Sequence, residues 1–424
     1  MLVPPEHCYT GVSSIAGSGY GRGLQSGWDN AQWSRKGEVR TLDKNLAFTL
    51  EEYSERLRNL RSRMTEKGID CMLVHTPENI CYLTGHQSPG YYMYLCLVVP
   101  QQGNPALVLR RGELGNASVY AWLPDLIPYD DTDDPCQTTV DAVKKVAGSP
   151  KTVGVEFDAW FLGQRRFLTL KDGLVGSNLV DGGGIVEGMR VVKSPKELEY
   201  IRKAAHAAET AMRLGVEAAV PGATENDIAT AMFKGLIQEG SEYLAMEPFV
   251  ASGPRSSIMH SSWSGRVLEK GDLILLEVAG CSRRYHAALM RTVSLGNPSE
   301  TTQHLSDICI ESLNRAIEAI HPGASSGDVD EACRGYIEDS GAEEYFRKRT
   351  GYSIGIAFAP DWGEGHILSL SKDNPAILHE GMTFHMPPAL RDFGQIGVGF
   401  SETVAVSKSG CEVITSFPRK LIVK

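Results

Sequence analysis

Three side chains in the second half of the chain have the types that acid–base work at carbon requires: His260 in SGPRSSIMHSS, Glu277 heading EVAGCSRRYHAALMRT, and Glu402 in FSETVAV. An imidazole exchanges a proton near neutral pH, so His260 can serve as general base and then as acid. A histidine taken alone is more often a satisfied loop residue. The two glutamates can tune that imidazole or hold a cationic, amidine-like group; the plainer alternative for both is a solvated or structural carboxylate. Tyr352 in TGYSIG, His286 and His385 could add hydrogen-bonding groups. Arg291 could bind a substrate carboxylate or, as arginines more often do, close a structural ion pair. Asp361 and Trp362, in PDWGEG, read as a loop at a cleft mouth where the indole could stack on a planar or cationic substrate, or as a plain turn. Tyr91, Tyr92 and Tyr94, in TGHQSPGYYMY, are aromatic counterparts from the first half, with core packing as the alternative.

The elements that would carry these residues follow from periodicity. GDLILLEV is a buried-strand run that delivers Glu277. Alternation along the next strand puts His286, Ala288 and Met290 on one face and Tyr285, Ala287 and Leu289 on the other, unless a bulge reverses them. Thr49 with Glu52 predicts a capped helix start, and Phe48 with Tyr53 a hydrophobic staple. Strand-like runs CMLVH, YLCLVVP, ALVLRR and TVGVEF follow, so residues 48–185 predict a small α/β domain ending at the DGGG of 181–184. Ser194-Pro195-Lys196-Glu197 starts a second capped helix. PGATENDIATAMFKGLIQEG (221–240) then aligns without gaps with PGASSGDVDEACRGYIEDSG (322–341). Two similar halves predict a pseudo-twofold domain over 186–424 with a cleft between them. Residues 1–47, rich in Gly, Ser and polar residues with Tyr20, Trp28 and Trp33 scattered among them, read as an arm without its own core.

Bulk composition bounds the partners. A chain of 424 residues accommodates two domains, and 42% apolar with 22% charged residues is ordinary for a soluble globular protein. A net charge of −10 argues against nucleic acid or an anionic membrane as the main partner. Nine cysteines without CxxC pairs, several inside apolar runs, suggest small buried hydrophobes in a reducing compartment. Cys281, beside two arginines, could be a reactive thiol but has no identifiable base. With no basic, apolar leader at the N-terminus and no run near the roughly 18 apolar residues of a membrane span, the expected location is the cytoplasm.

VASGPRSSIMHSSW, RRYHAALMRT, TGYSIGIAFAPDWGEG, EGMTFHMPPAL and FSETVAV occur in the order seen in the pita-bread (M24) hydrolases, and VVKSPKELEYIRKAA resembles the lead-in to their catalytic domain. The resemblance spans about residues 48–424 and is closest to creatinase-like and ectoine-hydrolase-like members. It implies a small creatinase-type N-terminal α/β domain followed by a pita-bread α+β domain, acting on a small-molecule substrate as a homodimer. In such dimers a loop like 84–94, with Tyr91, Tyr92 or Tyr94, closes the partner's site. His260 stands where creatinase-like members place a catalytic histidine. Metal-dependent members bind two divalent ions through two Asp, one His and two Glu. Carried over, those positions fall on Glu277, Ala288, Tyr352, Pro387 and Glu402. Alanine and proline cannot coordinate, so the expectation is a site without metal or other cofactor. Tyr352, in place of a ligand, should point into the cleft. The resulting reading is a metal-independent hydrolase of a C–N bond in a small amidine, guanidino or amide compound. A lyase of the same fold, a metal-dependent Xaa-Pro aminopeptidase or prolidase, and a non-enzymatic binding protein are the alternatives.

Overall fold

The computed structural model describes residues 42–424, of which Asp43–Lys424 form one compact unit. The aromatic residues assigned to the arm therefore lie outside the described residues. Its last residues are tied to the body: the Asn45 N–H donates to the Val119 carbonyl at 2.8 Å.

The helix Leu50–Glu66 starts as its sequence predicts. The Thr49 hydroxyl accepts from the Glu52 N–H at 3.3 Å, and the Phe48 and Tyr53 rings meet edge to face at 5.8 Å. Tyr53, Leu60 and Met64 bury its apolar stripe. Beyond it lie β1 (Cys71–Val74), β2 (Cys96–Pro100), β3 (Ala106–Arg110), β4 (Asp125–Tyr129), β5 (Thr152–Val155) and β6 (Asn178–Asp181), forming one mixed sheet in the order β4-β3-β2-β1-β5-β6.

The repeat is visible in three dimensions. Glu225–Gln238 and Ser326–Asp339 are both 14-residue helices, each opened by a complete capping box, Thr224 with Asp227 and Ser325 with Asp328. In both, the turn before the cap uses a glycine at positive φ, 90° at Gly222 and 93° at Gly323, a conformation that side chains with a Cβ resist. Each pairs with a longer helix, Pro195–Ala218 or Glu300–Ala319. The first half contributes β7 (Phe249–Ser252), β8 (Leu273–Ser282) and β9 (Tyr285–Ser294). The second contributes β10 (Gly351–Ser353), β11 (Ser369–Leu370), β12 (Thr383–Met386), the hairpin β13 (Ala389–Asp392) and β14 (Ile396–Gly399), then β15 (Glu402–Ser407) and β16 (Gly410–Val413). β17 (Ile422–Val423) returns to β9, giving sheets β17-β9-β8-β7 and β11-β10-β12-β15-β16.

Register sorts the side chains of β7–β9. Leu276, Val278 and Leu289 join the apolar cluster of the helix Pro195–Ala218. A Cβ at Gly280 would strike the Ala204 carbonyl, so this glycine lets helix and strand approach. The opposite face carries Phe249 across from Glu277, Glu277 across from Met290, and Ala279 across from Ala288. In the second sheet Tyr352, His385 and Thr403 stand side by side on β10, β12 and β15. The Thr403 hydroxyl joins the sheets, donating to the Ala288 carbonyl and accepting from its N–H, both at 2.9 Å. No helix among the described residues is long and apolar enough to cross a membrane. Seven of the eight described cysteines are buried and all eight are free. Burial pushes the Cys281 thiol up to about 12, which removes it as a nucleophile.

Candidate active site

His260 lies in the loop that follows the turn Gly253–Ser257. Its backbone is left-handed (φ 56°), the imidazole is exposed, and the ring stacks on Phe249 at 5.5 Å. Because Phe249 is the strand partner of Glu277, the loop holds His260 over the middle of β8. Glu277 is buried, 9% exposed, and forms no ion pair among the described residues. Burial raises its carboxyl pKa, opposed by the charges of Lys348 and Arg391 and by His260.

On the facing sheet a hydrogen-bonded row occupies the cleft floor. The Trp362 indole N–H donates to the Tyr352 hydroxyl at 3.0 Å. That hydroxyl lies 2.9 Å from His385 Nδ1, and His385 Nε2 lies 2.7 Å from Ser401 Oγ. Burial and then Lys348 lower the His385 pKa well below its ordinary value, so the ring is neutral. A tyrosine hydroxyl that already accepts from an indole has its own proton to give. Assigned on that basis, Tyr352 donates to Nδ1 and His385 donates through Nε2 to Ser401.

Several residues chosen from sequence lie elsewhere. Glu402 does not face the cleft: its buried carboxylate accepts from Arg291 at 2.7 Å, from Arg419 at 3.0 Å and from the Thr415 hydroxyl. Arg291 is on the helix-side face of β9, and it spends its other donors on the carbonyls of Met290, Ser401, Phe417 and Pro418. Neither can therefore touch a substrate. Trp362 is not a mouth residue but is 2% exposed, packed against Phe249; only Asp361 sits on the rim. Glu364, from the same PDWGEG motif, is also buried. Desolvation alone would raise its carboxyl, but Lys193 and Arg190, both at 2.7 Å, hold it at about 2. Tyr94 is core, its hydroxyl 2.9 Å from Thr139. Tyr91 packs on Phe358 at 5.1 Å, and Tyr92 is 63% exposed. His286 shares the Ala288 face as alternation requires, but it is fully buried and closed in by Gly355. Its Nδ1 donates to the Arg284 carbonyl at 2.9 Å while Nε2 has no partner.

Three cleft residues escaped sequence reasoning: Lys348, Arg391 and Ser401. The signals were weak ones, a basic RKR run before TGYS, the alternation of PPALRD, and the neighbour of Glu402.

The family's dinuclear metal site can be tested against these positions. Ala288 is buried in an apolar cluster with Phe249, Ile354 and Trp362. Pro387 offers no donor side chain, Tyr352 is engaged by Trp362 and His385, and Glu402, at the last position, is bound by Arg291. Among the described residues no three His, Cys, Asp or Glu side chains are grouped to hold an ion. A dinuclear metal pair does not fit this donor set.

A mixed-sheet N-terminal domain leading into two similar halves around a cleft is the pita-bread architecture. Residues 56–192 match the creatinase/prolidase N-terminal domain and residues 199–408 match metallopeptidase family M24. Ectoine hydrolase of Halomonas elongata is 29% identical over 400 residues, covering 90% of this chain and 99% of that protein. The uncharacterized hydrolase/peptidase y4tM of Sinorhizobium fredii is 31% identical, covering 89% and 99%. The crystal structure of dipeptidase PepE from Mycobacterium ulcerans superposes with a TM-score of 0.76 at 26% identity, covering 89% and 99%. The chain belongs to metallopeptidase family M24, and it is a hydrolase of that family.

Proposed function

We propose that this hydrolase cleaves a C–N bond in a small amidine, guanidino or amide compound without a metal ion. The observation that carries the reading is the exchange of cleft chemistry. Ala288, Pro387 and the hydrogen-bonded Tyr352 stand where chelating side chains would be needed, while His260 stacks on Phe249, the strand partner of Glu277. The similarity to ectoine hydrolase favours a non-peptide bond; the similarity to a dipeptidase favours a peptide bond, but that chemistry in this family draws on the missing metal ligands.

An amidine or guanidine carbon is already electrophilic when its nitrogens carry a proton, so that proton supplies the positive charge a metal would, and a carboxylate holds the cation in place. Glu277 takes the cationic group. His260, exposed and unencumbered, removes a proton from water as the water adds to the carbon, then returns it to the leaving nitrogen. Tyr352 and His385, held in place by Trp362 and Ser401, present fixed dipoles on the opposite wall. The test is turnover of ectoine, creatine, guanidino acids and Xaa-Pro dipeptides by chelator-treated protein whose metal content is measured. Ring-opened acid, urea or ammonia from metal-free protein supports the reading; dipeptide cleavage that requires two bound cations overturns it.

A further inference from the structure

Among the described residues, the other deeply buried cations are each satisfied, most by a carboxylate and Arg284 by the Ala357 and Tyr243 carbonyls. Arg190 and Lys193 share Glu364, Arg291 has Glu402, and Arg56 has Glu52. Lys348 and Arg391 are the exceptions in the cleft. Both are half-buried, neither closes an ion pair among the described residues, and Arg391 Nε is buried with no hydrogen-bond partner. They come from separate elements that pack together, β13 lying against the turn Glu343–Tyr345 that precedes Lys348. Lys348 precedes β10, which carries Tyr352, whereas Arg391 lies on β13 opposite Gly397. A Cβ at Gly397 would strike the Ser256 carbonyl, so the hairpin is pressed against the turn that leads to His260.

Two like charges on neighbouring, half-buried side chains cost free energy unless an anion joins them. Glu277 lies near both but contacts neither. We infer that Lys348 and Arg391 form an anion subsite that takes a carboxylate of the substrate, which makes the substrate a zwitterion bearing this carboxylate beside its cationic centre. A guanidinium fork with an adjacent ammonium suits a planar carboxylate. Glu277, with Asp361 on the rim, supplies the opposite pole. Burial and then Arg391 push the Lys348 ammonium down to about 8, the direction that an arriving carboxylate reverses. The substrate's identity as a C–N hydrolase substrate rests on the function proposed above; the subsite does not.

The experiment uses the full chain with lysines reductively methylated by ¹³C-formaldehyde, the Lys348 signal being assigned through Lys348→Arg. Acetate is compared with acetamide, and ectoine with the same cyclic amidine lacking its carboxylate. The expected result is that acetate or ectoine moves the Lys348 signal and raises its titration midpoint, that the uncharged or decarboxylated partner does not, and that Arg391→Met weakens the response about 10-fold or more. Equal responses to both members of each pair, or none to any of the four, overturn the subsite. Turnover is read on the same samples. A carboxylate response without turnover sustains the subsite and counts against the hydrolase reading alone.

Discussion

The carboxylate of Glu402 and the guanidinium of Arg291 meet at 2.7 Å with both side chains buried, and this contact withdraws two residues of suitable chemical type from the cleft. One residue earlier, Ser401 turns to the other side and reaches His385. The boundary between scaffold and site runs through the peptide that joins them.

Breaking the Arg291–Glu402 pair from one side leaves an uncompensated buried charge. Arg291→Met and Glu402→Gln should each lower the unfolding free energy by about 3–5 kcal/mol in urea titrations. An unchanged midpoint would mean that the pair is not the scaffold element described here.

The hydroxyl of Tyr352 links Trp362 to His385. Tyr352→Phe removes it while keeping the ring, so His385 loses its orientation. Turnover should fall about 10²-fold with little change in KM or thermal midpoint. Full activity in this variant reduces the row to packing.

His260 occupies a left-handed backbone that glycine adopts without cost. His260→Gly therefore deletes the imidazole and leaves the loop relaxed. It should fold as stably as the parent yet lose about 10²–10⁴-fold in turnover. Retained turnover would remove His260 from the mechanism.

Ala288 sits in an apolar cluster. Restoring a carboxylate there with Ala288→Asp buries a charge beside Phe249 and Trp362, with no second chelating set to receive an ion. The variant should melt well below the parent, and added zinc or manganese should not recover it; metal-dependent recovery would show that an ion socket survives.

Glu364 links acid stability to the fold. Its folded pKa, about 2, lies below its ordinary 4.5, so its stabilisation is complete above the ordinary value and is lost as pH falls from 4.5 toward 2. The contribution at neutral pH is on the order of 3 kcal/mol. Urea midpoints measured between pH 5 and pH 3 should fall in the parent and fall less in Glu364→Gln; parallel curves contradict the assignment.

Local rules made much of the architecture legible. The caps at Thr49 and Ser194, the strand runs around Cys71 and Cys96, and the repeated Pro-Gly-Ala turns act within a few residues, so they can be read before anything is packed. Alternation also placed His286 and Ala288 on one face correctly. It could not tell which face of β9 meets the helix and which the cleft for Arg291, nor that the chain entering β15 aims Ser401 rather than Glu402 at His385. A shift of one residue along a strand exchanges the two faces, and that choice is made by the neighbouring strand.

From sequence alone came the two-part α/β plan, the repeat, and the loss of chelating types at Ala288 and Pro387, because backbone preference and side-chain chemistry are properties of single residues and short spans. Only the packed molecule decided which polar groups remain uncommitted. Glu402, Arg291 and Tyr94 looked available and are consumed by partners distant in sequence, whereas Lys348 and Arg391 looked ordinary and close no ion pair among the described residues. Pairing depends on what stands within about 3 Å in space, and chain order does not encode that distance directly.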